Sequence, residues 1–222
     1  NHYGQLGDGT TTYRLTPVQV MTGVQAVSAG SSHTMILQTD GTLWAMGNNY
    51  YGQLGDGTTT DRATPVQVMT GVQAVSAGQH HTMILKTDGT LWATGNNEYG
   101  QLGDGTTTDR ATPVQVMTGV QAVSAGYHHT MILKTDGTLW ATGNNEYGQL
   151  GIGTRTSRST PVQVMTGVQA VSAGQQHTMI LKTDGTLWAT GDGSVGQLGI
   201  GTITERVTPV QVILSLPLAD AR

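Results

Sequence analysis

Histidines are the first residues that invite chemistry. His33, His81, His129 and His177 recur at a fixed interval, and His80 and His128 add a second imidazole to two of the copies. Neutral imidazoles converging on one point would suit a transition metal. Convergence within bonding distance is a demanding condition, and the preferred reading is that each histidine ties a loop to backbone. Two pairs of carboxylates, Asp56 with Asp61 and Asp104 with Asp109, would suit calcium, which takes six or more oxygen ligands. The matching positions hold Ile152 with Ser157 and Ile200 with Glu205, so the pattern breaks and solvated loop carboxylates are expected instead. The stretch Gly52-Gln53-Leu54-Gly55-Asp56-Gly57 suggests a phosphate cradle. It lacks the Gly-Lys-Ser/Thr ending, and its glycines are in the wrong order for a dinucleotide fingerprint. Each glycine is expected to supply a positive φ in a tight loop. There is no cysteine, and the serines recur as copies of Ser28, so nothing resembles a nucleophilic triad. No metal, cofactor or enzymatic activity is expected.

These residues recur because the whole chain repeats. Tyr3-Gly4-Gln5-Leu6-Gly7 returns at Tyr51, Tyr99 and Tyr147, and again as Val195-Gly196-Gln197-Leu198-Gly199, each copy 48 residues after the last. Trp44, Trp92, Trp140 and Trp188 keep the same interval. Arg14, Arg62, Arg110, Arg158 and Arg206 stand once per unit ahead of a Thr-Pro. Pairing with an acid or a loop carbonyl and exposure to solvent are both open for these arginines.

Within one unit, Val72 to Ala77 alternates small and branched residues, which suits an inner strand crowded near an axis. Gly78-Gln79-His80 makes a turn, and His81 to Lys86 is the second strand. Asp88-Gly89 predicts a type I′ hairpin, with positive φ at both central positions. Leu91 to Ala93 is the third strand, a long loop runs from Asn96 to Thr112, and Pro113 to Val116 is an outer strand that tolerates proline at its start. Four strands per unit, apolar on both faces, is the pattern of a β-propeller blade. The tryptophans then belong to the core between blades. A helical repeat is excluded because no unit offers about 10–12 residues free of Gly, Pro and β-branched runs.

The fold class is therefore all-β, a propeller of four full blades spanning roughly residues 24–68, 72–116, 120–164 and 168–212, with an N-terminal half-blade at 1–20 and a degenerate tail at 213–222. Over half of the chain is expected in strands. Five outer-strand sequences accompany only four sets of inner strands. Chains are expected to associate as a homo-oligomer that completes a ring, or to be pieces of a longer propeller. The start inside a repeat suggests that residues upstream are missing.

Composition narrows the partners. Net charge is −4 and charged residues are only 11% of the chain, whereas nucleic-acid binders need a dense basic footprint. No nucleic acid is expected as a partner. No apolar run approaches the length that spans a bilayer, so no membrane is expected either. Low charge with abundant Thr, Gly and Asn suggests an exported or cell-surface bacterial protein.

One more feature comes from the motifs in order. Gly-x-x-His-Thr, Asp-Gly-Thr-Leu-Trp-Ala, Gly-Asn-Asn-x-Tyr-Gly-Gln-Leu-Gly-Asp-Gly-Thr and Thr-Pro-Val together resemble the repeat of the regulator of chromosome condensation family, over all of the chain except the tail from Ile213. The bacterial branch is the more similar one. The resemblance implies a propeller, usually seven-bladed, that acts as an interaction platform. The founder of the family is an exchange factor for a small GTPase that docks on chromatin, and a bacterial relative caps β-lactamases. Neither activity carries over residue by residue.

Strand parity places a candidate site. The turn Gly78-Gln79-His80 and the long loop lie on one rim, and the Asp88-Gly89 hairpin lies on the other. On the hairpin rim Thr-Asp-Gly-Thr is identical in all four copies. On the turn rim the pair before the histidine varies: Ser31-Ser32, Gln79-His80, Tyr127-His128 and Gln175-Gln176. Loops on a rigid scaffold are where binding residues concentrate, so these eight are the expected contacts for a protein partner, with Tyr127 the best aromatic anchor. An enzyme regulator, either exchanger-like or inhibitor-like, is the first alternative. A carbohydrate-binding propeller using Tyr51, Tyr99 and Tyr147 is the second.

Overall fold

The computed structural model describes residues 1–213, and the expected degenerate tail lies, but for Ile213, outside the described residues. Among the described residues every regular element is a strand, and the strands form four antiparallel four-stranded sheets, one per repeat. The first blade comprises β1 (Val24–Ala29), β2 (His33–Gln38), β3 (Leu43–Gly47) and β4 (Arg62–Met69). The second comprises β5 (Val72–Ala77), β6 (His81–Lys86), β7 (Leu91–Gly95) and β8 (Arg110–Met117). The third comprises β9 (Val120–Ala125), β10 (His129–Lys134), β11 (Leu139–Gly143) and β12 (Arg158–Met165). The fourth comprises β13 (Val168–Ala173), β14 (His177–Lys182), β15 (Leu187–Gly191) and β16 (Arg206–Gln211). The chain folds as a β-propeller array.

Two details depart from the sequence reading. Strands cover less than half of the described residues, because each unit commits a long segment, such as residues 96–109, to one loop. The hairpin is not type I′. Gly89 has φ of 77°, yet no residue other than glycine has positive φ, so Asp88 stays in an ordinary region. The Gly89 N–H donates to the Lys86 carbonyl (3.0 Å) and the Lys86 N–H to the Thr90 carbonyl (2.9 Å). This is a three-residue loop closed by a left-handed glycine. Asp88 instead accepts from the Thr90 N–H (2.9 Å) and the Thr90 hydroxyl (2.6 Å), which fixes the turn from its side chain.

Blades stack through their apolar faces. Met35, Leu37, Leu43 and Ala45 of the first blade bury against Val72 and Ile84 of the second, with Trp92 packed alongside. The same set recurs at the next two joints, where Trp140 and Trp188 take the place of Trp92. At about 25 cal/mol per Å² of apolar surface, these joints are the main source of stability. Polar pairs lace each joint. Ser28 Oγ accepts from the Ala77 N–H (2.9 Å), and Ser76 and Ser124 do the same for Ala125 and Ala173.

Inner strands β1, β5, β9 and β13 lie side by side in that order, and β13 does not pack on β1 as neighbours do. The four sheets therefore form an arc. Its ends show the difference: Val27 is 67% exposed, whereas its counterpart Val75 packs into a joint. Met179, Leu181 and Leu187 are half-buried, whereas Met83, Leu85 and Leu91 are fully buried. Residues 1–12 keep the loop fold of the other units and dock on the first blade, with the Gly9 N–H on the Ala63 carbonyl (2.9 Å). The segment around Pro17 forms no ladder, since no third strand stands beside it to pair with.

Candidate functional site

The rim is built by one histidine per blade. The His33 ring is buried and its Nε2 lies 3.0 Å from Thr82 Oγ1 of the next blade, a link repeated by His81 with Thr130 and His129 with Thr178. Thr82 Oγ1 donates its single proton to the Gln53 carbonyl (2.8 Å). It can therefore only accept from the imidazole, so Nε2 carries the hydrogen and Nδ1 is left bare. The expected tie to backbone is thus a tie to a neighbouring hydroxyl, and it staples blade to blade. Burial holds all three rings to a pKa of about 3, so they are neutral at any ordinary pH. Gly78 must be glycine for the same reason: a Cβ there would strike the His81 ring and come within 2.6 Å of the Gly126 carbonyl.

The long loops are organised by asparagine. Asn97 accepts from the Leu102 N–H through Oδ1 (3.0 Å), while its Nδ2 donates to Asp104 (3.1 Å) and to the Thr106 and Thr108 carbonyls (3.1 Å each). Asp104 pairs with Arg110 (2.7 Å), as Asp56 pairs with Arg62 and Asp8 with Arg14. Asp109 accepts from the Asn97 N–H (2.7 Å). These carboxylates are loop clamps and not freely solvated groups, which corrects the sequence expectation. Their bonds to threonine and arginine outweigh desolvation and hold Asp56 and Asp104 below the usual carboxylate range. Ile152 and Ile200 remove the clamp from the last two loops, and there Arg155 pairs with Glu205 instead. All but the last of these loops also cross to the following blade, where the Gly57 N–H reaches the Ala111 carbonyl and the Gly105 N–H the Ser159 carbonyl.

The eight expected contact residues divide into two rings. Ser31, Gln79, Tyr127 and Gln175 line a shallow funnel of 370 Å³ on the axial side, floored by the inner-strand ends and by Gly30, Gly78, Gly126 and Gly174. Ser32, His80, His128 and Gln176 stand behind them, and their carbonyls accept from the Asn48, Asn96, Asn144 and Asp192 N–H groups at 2.8 Å. His80 leans on Tyr51 (centroids 5.3 Å apart), and His128 packs between Tyr99 (5.1 Å) and Tyr127 (4.7 Å). Ser32, His80, His128 and Gln176 thus also support the long loops through their backbone. Gln79 Oε1 on the axial ring and Nδ1 of His80 and His128 behind it are buried without a hydrogen-bond partner among the described residues.

A family model described as the RCC1-like domain matches residues 1–221. The chain belongs to the RCC1-like domain family. Solved structures share the RCC1-like fold at low identity. Human WBSCR16 superposes with a TM-score of 0.85 at 24% identity, covering 97% of this chain and 61% of its own. Yeast RCC1 (Prp20), solved bound to Kap60, gives 0.79 at 21% identity over 90% of this chain and 50% of its own. Prp20p from Saccharomyces cerevisiae, described with its binding properties to Gsp1p and histones, gives 0.75 at 23% identity over 86% and 51%. The RCC1-like chain described here thus spans about half to three-fifths of the length of these relatives.

Proposed function

We propose that this RCC1-like array is a non-catalytic protein-binding module whose contact surface is the turn rim, centred on Ser31, Gln79, Tyr127 and Gln175. The observation that carries the reading is the contrast between rims. The four hairpins are identical in sequence, while the turn position that lines the axial funnel reads Ser31, Gln79, Tyr127 and Gln175, and no two turns carry the same residue pair. His33, His81 and His129 staple blades, and Asp56 and Asp104 clamp loops, so these groups serve the scaffold. The known RCC1-like structures solved or described with Kap60, Gsp1p and histones make protein the favoured class of partner. Low charge and a composition rich in Thr, Gly and Asn are our reasons for placing the module in an exported or surface protein of a bacterium.

The test uses the immobilised chain as bait in extract of its source organism, beside a variant with Gln79, His80, Tyr127, His128, Gln175 and Gln176 replaced by Ala or Ser. A protein that is retained by the parent and lost from the folded variant supports the proposal. Equal retention by both moves the site elsewhere, and a glycan-array signal without a protein partner replaces this reading with the carbohydrate one.

A further inference from the structure

A second concavity lies away from the axis, in the seam between the N-terminal loop and the first blade. It is a cleft of 690 Å³ whose lining includes Tyr3, Asn48, Tyr50, Tyr51, Asp61 and His80. Tyr50 and Tyr51 meet edge to face, with centroids 4.9 Å apart and planes at 85°, so they form two perpendicular walls. His80 continues the second wall, tilted 42° from Tyr51. Tyr50 is 71% exposed, although burying a tyrosine is favourable, and nothing in the fold requires it there.

Thr59 and Thr60 also line the cleft, and its charged side chain is the Asp61 carboxylate. Asp61 Oδ1 accepts from the Asn49 N–H (2.7 Å) and the Asn48 side-chain amide (3.3 Å), and its Oδ2 makes no hydrogen bond among the described residues. No lysine or arginine lines the cleft, and the neighbouring Arg62 is held by Asp56 at 2.7 Å. Burial keeps His80 below its ordinary value, so it contributes an uncharged ring and not a competing cation.

Perpendicular aromatic faces beside a carboxylate, with no cation of their own, attract a ligand cation through the ring quadrupole and the charge together. We propose that this cleft is an aromatic cage for an alkylammonium group, such as a methylated lysine side chain or a choline-type headgroup. The seams of the later units differ. The residue at the Tyr50 position is Glu98, Glu146 and Ser194 in the later units, so each of those seams lacks the second wall. The proposal stands apart from the rim reading and shares only His80 with it.

The experiment titrates the chain with Nα-acetyl-trimethyllysine amide and follows backbone amide shifts. The parallel probes are the neutral tert-butyl isostere of that side chain and methyl α-glucoside. Saturable binding that moves signals near Asn48, Tyr50 and Asp61, with the neutral isostere about tenfold weaker, supports the cage. Tyr50→Ala should weaken trimethyllysine about tenfold and Asp61→Asn by a smaller factor, while Tyr13→Ala, an exposed tyrosine outside the cleft, changes nothing. Equal affinity for the isostere, binding of the glucoside alone, absence of saturation, or indifference to Tyr50→Ala in a folded variant would each overturn it.

Discussion

At the scale of single residues, the blade-to-blade staple is the most consequential feature. Thr82→Val removes the acceptor for the His33 Nε2–H and the donor to the Gln53 carbonyl, leaving two buried groups unpaired. The expected loss of stability is roughly 2–4 kcal/mol by urea denaturation. Thr34→Val should cost visibly less, since Thr34 donates to the Gln5 carbonyl but receives no imidazole. The buried rings also set a pH response. His33, His81 and His129 titrate near 3 when folded and near 6.5 when unfolded, so below 6.5 the unfolded chain binds more protons. Stability is then complete above about pH 6.5 and falls as the pH drops towards 3, by up to about 1.4 kcal/mol per pH unit for each ring. The urea midpoint should decline between pH 6.5 and 5, above the range in which carboxylates titrate. A flat midpoint over that window would contradict the neutral, buried staple.

At the scale of elements, much was legible because strands announce themselves by pattern. The repeat interval, β5, β6 and the start of β7 follow directly from alternation and from Gly and Pro punctuation. The outer strand was underestimated: β8 begins at Arg110, ahead of the proline, because the Gly95 partner sits opposite Arg110 across a register shift that local sequence does not display. The hairpin type was misjudged because Asp-Gly serves both a two-residue turn and the end of a three-residue one. The loop clamps were read in part: an acid was one open partner for the arginines, and Arg14, Arg62 and Arg110 do pair with acids, but which acid was not legible. Asp104 and Arg110 are six apart in an irregular segment, and no strand or helix periodicity brings such positions together. The one available signal was their joint behaviour: the acid becomes isoleucine in the last two loops while the arginine stays. Gly89→Val tests the hairpin. A β-branched residue at φ of 77° should cost about 1–3 kcal/mol, read as a lowered melting midpoint with unchanged β circular dichroism.

At the scale of the whole molecule, the arc leaves two blade faces without neighbours among the described residues. Met179, Leu181 and Leu187 are the counterparts of residues that are buried at every internal joint, and exposed apolar faces of this kind promote association. Light scattering is expected to show mass rising above 23.3 kDa with concentration, and Leu181→Asp should suppress the rise. A well-behaved monomer at high concentration would refute it. The candidate site was legible in part. Comparing units found the varying turns, but could not tell which member of each pair faces the axis. That depends on how a two-residue turn is rotated by the loop asparagine bonded to its second carbonyl. The central claim, that partners bind on the turn rim, is tested most directly by amide hydrogen exchange on the chain with and without its captured partner. The account predicts new protection at residues 30–32, 78–80, 126–128 and 174–176, with the hairpins at 39–41, 87–89, 135–137 and 183–185 unchanged. Protection of the hairpins with the turns unaffected would contradict it.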